Sequence, residues 1–299
     1  MALDPKSLRL FTRIAELGTI AAVAEHEHIA AAAISRRMSD LEDALGVELL
    51  RRSNKGVEPT AAGRTLLDLS HRLLNEIDDI QVQMRDFASG NRGHIRIVAN
   101  LSTISQFLPA ELGSFLAANP QVQIHLEEMV SSDIVKAIAN NVADIGVMIR
   151  EEPQPDVVCL PYREDELVMI SPLNHAIARL GKKGLCLADV IEHDFVGLPS
   201  GSQLNQLFIR GAQQLGKPWK NRVKVNSYDA LCLMVQAGLG IGCLPRNTAQ
   251  LFAQIFQIKV VDLLEPWAKR HIVLCVRSKE SLSPTARLLI DRMSPSLED

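Results

Sequence analysis

The feature that limits this chain most is a stretch with nothing to stop a helix: from Thr60 to Ser89 there is no proline, and the apolar residues repeat every seven positions. Leu66, Leu73, Ile80 and Phe87 form one series and Ser70, Ile77 and Met84 the interleaved one, an a/d pattern over roughly three heptads. A helix of about 30 residues spans ~45 Å. Such an element either lies along its own domain or pairs with a second helix. Its place between two regions of different character favours pairing, so a homodimer is expected, with Leu66, Leu73, Ile77, Ile80, Met84 and Phe87 at the seam.

Upstream, Lys6–Leu17 sets Leu8, Phe11, Ile14 and Ala15 on one side and ends at Gly18-Thr19. An Ala-rich run, Ile20–His26, turns near His28 into Ala31–Leu45, where Ile34, Met38, Leu41 and Leu45 recur at helical spacing and share one face. Ala32, Ser35, Arg36 and Ser39 fall roughly opposite, small or hydrogen-bonding with one guanidinium projecting, a surface able to lie against a base edge. Val47–Arg51 and Gly56–Glu58 flank the turn-forming Ser53-Asn54-Lys55-Gly56 as a β-hairpin carrying Arg51, Arg52 and Lys55 within reach of phosphates. Pro59-Thr60 ends it, and Thr60 can cap the long helix. Two amphipathic helices in an Ala-rich segment also fit a plain bundle corner; the hairpin that follows them in order points instead to a DNA-reading head. Net charge is −3, so affinity for DNA has to come from locally placed cations (Arg36, Arg37, Arg51, Arg52, Lys55, Arg64) and should be salt-sensitive but modestly steered.

The run S-R-R-M-x-x-L-E-x-x-L-G-V-x-L-L-x-R from Ser35 to Arg52, with T-A-A-G at Thr60–Gly63, Leu8-Arg9-Leu10-Phe11 and Ala21-Ala22-Val23-Ala24, resembles the winged helix-turn-helix signature of LysR-type transcriptional regulators. The resemblance covers essentially the whole chain. It implies a regulator that binds double-stranded promoter DNA, forms dimers that often join as tetramers, and answers to a small-molecule effector; RNA polymerase stays open as a further partner. Two positions depart from the family pattern. Ala30-Ala31-Ala32 stands where a Ser-Gln-Pro type run usually opens the recognition helix, removing a capping oxygen and a base-reading amide, so readout leans on Ser35, Arg36 and Arg37. Pro59 stands where leucine is more usual and stiffens the exit of the wing.

After Ser89-Gly90-Asn91-Arg92-Gly93 the pattern alternates. Strands are expected at Ile95–Ala99, Val122–Met129 and Asp144–Ile149, with helices at Gln106–Ala118 and Asp133–Asn140. A second series has strands at Glu166–Ile170, Phe195–Gly197 and Val223–Asn226 and helices at Gln203–Leu215 and Tyr228–Ala237. Strand His271–Val276 and helix Pro284–Met293 then return to the first lobe. The expected fold class is an N-terminal all-α winged helix-turn-helix plus a long linker helix, then a C-terminal α/β two-lobed effector domain, which the resemblance likens to periplasmic solute-binding proteins. The boundaries read as 1–63 for the head, 60–90 for the linker and 91–299 for the effector half, with lobe I about 91–160 and 268–299 and lobe II about 161–267.

In such a fold the loops at the carboxyl ends of strands face the crevice, where helix N-termini and short hydroxyls favour an anionic or polar small ligand. The candidates are Ser102 and Thr103 (with Ser105) after the first strand, Ser131 and Ser132 after the second, Arg150 after the third, and Gly201, Ser202 and Gln203 opposite. Serines before helices also serve as plain N-caps, and Arg150 beside Glu151 and Glu152 also fits a solvated ion pair.

Other chemistries find little support. There is no G-x-S-x-G elbow, and Gly238-Leu239-Gly240-Ile241-Gly242 follows a helix rather than a strand, so it reads as a tight turn and not a nucleotide loop. No catalytic residue and no resident cofactor is expected. Glu25-His26-Glu27-His28 offers adjacent ligands that point apart, and no metal is expected. The five cysteines lack C-x-x-C spacing and read as free thiols in a reducing compartment; with neither a signal peptide nor a membrane-length apolar run, the expected location is cytoplasmic. The competing reading is a small-molecule receptor whose Ala-rich, acidic head binds DNA weakly or not at all.

Overall fold

The computed structural model describes residues 3–53, 56–89, 93–150, 154–179 and 184–294. The chain separates into two compact units, Met1–Gly93 with Ala139–Ala143, and His94–Ile138 with Asp144–Asp299.

In the first unit, helix α1 (Pro5–Leu17) is capped by Asp4, whose carboxylate accepts from the Lys6 and Ser7 amides, and it ends at Gly18, which takes φ 73°. Thr19 caps α2 (Ile20–Glu27), and α3 (Ala31–Leu45) ends at Gly46 in the same left-handed region. Strands β1 (Leu50–Ser53) and β2 (Gly56–Pro59) pair antiparallel as the expected hairpin. A Cβ at Gly56 would sit 2.6 Å from the Gly18 carbonyl oxygen, so only glycine lets the hairpin dock on the α1–α2 turn. Helix α4 (Ala61–Ser89) follows without a break. Leu10, Phe11, Ile14, Val23, Ile34, Met38, Leu41 and Leu49 make the core, with Leu66 and Leu67 of α4 packed on it. Burying each large side chain there is worth roughly 1.5–3 kcal/mol. Leu45, expected on the same face, is left exposed at the helix end. Glu42 ties the helix to the hairpin: its carboxylate accepts from the Leu49 and Leu50 amides at 2.7 and 3.0 Å.

The second unit begins with β3 (His94–Ala99), α5 (Leu101–Gln106), α6 (Leu108–Ala118), β4 (Gln123–Glu128), α7 (Ser131–Ala139) and β5 (Ile145–Ile149). The long β6 (Val158–Pro172) leads to α8 (Leu187–Val190), β7 (Phe195–Gly197), α9 (Gln203–Gln214), β8 (Asn221–Lys224) and α10 (Tyr228–Gln236). Then come β9 (Gly242–Pro245), α11 (Arg246–Phe252), β10 (Ile258–Asp262), β11 (Lys269–Val276) and α12 (Pro284–Met293). Among the described residues one sheet of seven strands runs β10-β6-β11-β5-β3-β4, with β9 also on β6, and a separate pair joins β7 to β8.

Two apolar cores give this unit its lobes. Ile95, Ile97, Phe115, Ile145, Val147, Leu274 and Leu289 centre one; Leu167, Met169, Phe195, Phe208, Leu231 and Leu244 centre the other. Strand β6 serves both, because Leu160 belongs to the first core and Leu167 to the second; Leu274 of β11 belongs to the first, and Ala268, just before β11, to the second.

Two features differ from expectation. The helix expected from Gln106 to Ala118 starts at Leu101 and is interrupted at Phe107, where Pro109 in the next turn has no N–H to continue the ladder. Strand β6 extends far beyond Glu166–Ile170, and β9, α11 and β10 fill a segment that carried no expectation. The run Gly238–Gly242 is, as expected, a tight turn from α10 into β9, whose first residue is Gly242, and Gly238 takes φ 81°.

Candidate DNA interface and effector crevice

In the first unit the outer face of α3 is small and cationic. Ala32, Arg36 and Ser39 are exposed and Ser35 is half-buried. Among the described residues Arg36 makes no ion pair, so its guanidinium stands open. Arg37 does not: its Nη1 donates to Asp4 Oδ2 and to Ser7 Oγ, each at 3.2 Å, pinning α3 to the start of α1. Donation from the Ser7 hydroxyl, then from the Ser7 amide, holds the Asp4 carboxyl below its ordinary pKa. The first turn of α3 has no side-chain cap, because Ala30 carries no acceptor, and Ala31, Ala32 and Ala33 are exposed around it. Unsatisfied amides at a helix N-terminus are aligned to receive an anion.

Arg51 is exposed on β1; the Arg52 side chain and Lys55 lie outside the described residues. Thr60 is committed to the corner: its hydroxyl donates to the Glu48 carbonyl at 2.7 Å and accepts from the Gly63 amide at 3.0 Å. Arg64 donates to the Pro59 carbonyl at 3.1 Å. Along α4, Leu66 faces the core and Ile77 is half-buried, while Leu73, Ile80 and Met84 are exposed together with Leu69, which the heptad reading did not include. The Phe87 side chain lies outside the described residues.

In the second unit β3 runs parallel to both β4 and β5, so Asn100–Thr103, Ser131–Ser132 and Arg150 all leave one edge of the sheet. Strands β7 and β8 are also parallel, and Ser202 and Ser227, which cap α9 and α10, follow their carboxyl ends. One contact sets these two edges face to face: Ser102 Oγ lies 3.0 Å from Tyr228 Oη. Arg270 of β11 donates to Ser102 Oγ at 3.3 Å and forms an ion pair with Asp165 of β6. All four side chains are buried. Burial pushes the Tyr228 phenol up to about 12, so it stays a neutral hydroxyl. Thr103 is tied by its hydroxyl to the Asn100 carbonyl at 2.9 Å.

A cavity of ≈ 320 Å³ opens beside this cluster, lined by Gln106, Asp165, Glu166, Arg246, Lys269 and Arg270 among others. Gln106 Oε1, Asp165 Oδ1 and Arg270 Nε are buried without a partner. Ser131, Arg150 and Ser202 share or face the edge of Ser102 but do not hydrogen-bond to it; Arg150, Ser132 and Gly201 are exposed, and Ser131, Ser202 and Gln203 half-buried. Asp165, Tyr228, Gln106 and Arg270 were absent from the sequence candidates. Asp165 sits in the acidic run Arg163-Glu164-Asp165-Glu166, which reads as solvated surface, and nothing local marks its partner 105 residues away. Among the described residues no three His, Cys, Asp or Glu side chains gather as for a metal, and no helix is long and apolar enough to cross a membrane.

Two family profiles match the chain: "Bacterial regulatory helix-turn-helix protein, lysR family" over residues 5–64 and "LysR substrate binding domain" over 88–297. The chain is similar to an uncharacterized HTH-type transcriptional regulator, YbhD, of Escherichia coli (26% identity, 94% of this chain and 87% of that one). It is similar too to the transcriptional dual regulator GltC of Bacillus subtilis (26%, 95% and 94%). Among solved structures, full-length CbnR complexed with its target DNA superposes with a TM-score of 0.67 at 23% identity, covering 97% of this chain and 99% of that one.

Proposed function

The chain belongs to the LysR family of bacterial helix-turn-helix transcriptional regulators, and from that premise we propose how its own residues divide the work. It is a DNA-binding regulator with an effector-binding domain, not an enzyme. Arg36, with Ser35, Ser39 and the alanine methyls, meets base edges in the major groove, while Arg51, Arg52, Lys55 and the uncapped amides of α3 meet phosphates. Arg37 and Thr60 hold that surface in shape. Two copies pair along Leu69, Leu73, Ile80 and Met84, giving two heads for one roughly palindromic site. The protein works in the cytoplasm and, bound beside a promoter as a dimer or paired dimers, acts on RNA polymerase.

The observation that carries the effector reading is the Ser102–Tyr228 hydrogen bond, which joins the carboxyl edges of the two sheets over the Asp165–Arg270 pair. A small polar or anionic effector enters where those edges meet, with Ser131, Arg150 and Ser202 around it. Since Ser102 already bonds to Tyr228, a ligand that takes Ser102 as a partner binds the two lobe arrangements unequally, which is what coupling requires.

The test is fluorescence anisotropy of the protein on DNA from upstream of its own gene against a scrambled duplex, across a salt series. Site-selective binding that weakens with salt, and shifts with a compound found by thermal-shift screening, is expected. Ser102→Ala and Ser202→Ala variants that both keep the full ligand response would sink the crevice assignment. Equal weak binding to every promoter tried would leave only the receptor half of the reading.

A further inference from the structure

We propose that Cys159 and Cys275 form a site of reversible disulfide modification, separate from the DNA interface and from the crevice. They are opposed residues of the antiparallel β6–β11 ladder, in register, with Sγ atoms 3.2 Å apart. Both are free thiols in this structure. Opposed residues on antiparallel strands have Cα atoms about 4.5–5.5 Å apart, inside the ~4.4–6.8 Å that a disulfide bridges. Closing the sulfur pair to ~2.05 Å therefore needs side-chain rotation rather than strand movement.

The two thiols are unequal, and that gives the site an order of events. Cys159 is exposed; Cys275 is buried, paired with Gly146 of β5, against which Ile134 and Ile138 of α7 also pack. A small reagent reaches Cys159 first, and Cys275 is reached only through its neighbour. The other exposed cysteine, Cys186, has no second sulfur within bonding distance among the described residues, and Cys232 and Cys243 are buried.

With a low-molecular-weight disulfide such as glutathione disulfide the chemistry balances. The Cys159 thiolate attacks one glutathione sulfur, the glutathione S–S bond breaks, and the first glutathione leaves as thiolate and takes up the proton Cys159 released. Cys275, after losing its proton, attacks Cys159 Sγ in the mixed disulfide, and the second glutathione leaves and takes that proton. Two protein thiols are oxidised to one disulfide while glutathione disulfide is reduced to two thiols. Burial raises the Cys275 thiol above its ordinary range, so the second step is the slow one and accelerates as pH rises.

The experiment uses the full-length chain, reduced, desalted and incubated with excess glutathione disulfide, then unfolded and treated with a maleimide that adds mass to every remaining thiol. The expected result is loss of two reactive thiols, an intact mass lower by two hydrogens, and a Cys159–Cys275 linked peptide that dithiothreitol releases. Cys186→Ser should keep the linked peptide, and Cys159→Ser should abolish it. Cys275→Ala should arrest the reaction at a glutathione adduct on Cys159. Tryptophan fluorescence of each variant confirms folding. If the unaltered protein itself stops at that adduct, with Cys275 still reactive after unfolding, the proposal is overturned; linkage through Cys186 instead also overturns it.

Discussion

In the head, the arginines best placed to meet a ligand, Arg36 and Arg51, stand in solvent over an apolar core; in the effector unit the corresponding arginine, Arg270, is 6% exposed and locked against Asp165. The difference lies in what each charge costs the fold. An open guanidinium remains hydrated, costs almost nothing to fold around, and can be lost one at a time. A buried ion pair has given up its water, and each half becomes a liability once the other is removed. The head thus presents ready-made charge to a charged polymer, whereas the effector unit keeps its charge behind hydrogen bonds that a ligand has to compete for.

The sharpest way to break this comparison is to delete one half of the buried pair. Asp165→Ala should cost about 3–5 kcal/mol, because it strands Arg270 in the interior. Urea unfolding followed by tryptophan fluorescence measures it cleanly, since both tryptophans, Trp219 and Trp267, belong to the effector unit. The double variant Asp165→Leu with Arg270→Met should recover much of that loss; a cost under 1 kcal/mol for the single variant would mean the pair is hydrated in solution. In the head, Arg36→Ala should leave that unfolding curve unchanged and remove about 1–3 kcal/mol of preference for the operator over scrambled DNA. An unaltered preference would take Arg36 out of the reading surface.

Asp4→Ala tests whether the head also holds structural charge. Loss of the α1 cap should lower its stability by about 1 kcal/mol, read as helical circular dichroism against temperature. Asp4 titrates below its ordinary value near 3.8. Its contribution is therefore fully present above that value and is lost as pH falls through the lower folded-state pKa, so the gap between Asp4→Ala and the parent should close only in strong acid. The smallest effect belongs to an exposed pair in the same unit as Asp165. Arg222 and Asp194 are 2.9 Å apart with side chains 65% and 42% exposed, and Arg222→Ala should cost under about 0.5 kcal/mol in the same urea assay. A cost near that of Asp165→Ala would show that burial does not separate the two cases.

Legibility in the sequence followed the same division. Helix α3, strand β7 and helix α12 lie where periodicity and capping residues put them, because their signals are local: an apolar stripe, a glycine at the C-terminus, a serine or proline at the start. The head's outer face could be named from α3 alone. Spacing put Arg36 on that face, but Arg37 still read as a second DNA contact, since the carboxylate that claims it, Asp4, lies 33 residues away. In the effector half Ser102 was legible as a hydroxyl ahead of a helix, but Tyr228 and Arg270 reach it from 126 and 168 residues away. Strand β6 was truncated in the reading because Arg163-Glu164-Asp165-Glu166 has the composition of a loop, and only cross-strand pairing to Lys269–Ile272 makes it a ladder.

That ladder carries one irregularity. The pairing of β6 with β11 shifts register between Ile272 and Val273, leaving Tyr162 unopposed next to Pro161, which has no amide to give. An extra residue on one strand bends that strand and increases its local right-handed twist. Leu160 and Tyr162, on either side of Pro161, both belong to the first core, so the irregularity sits inside the first lobe, ahead of the Arg163–Glu166 stretch that leads to the second. The course of β6 from one core toward the other is thus set in part by one extra residue of the chain.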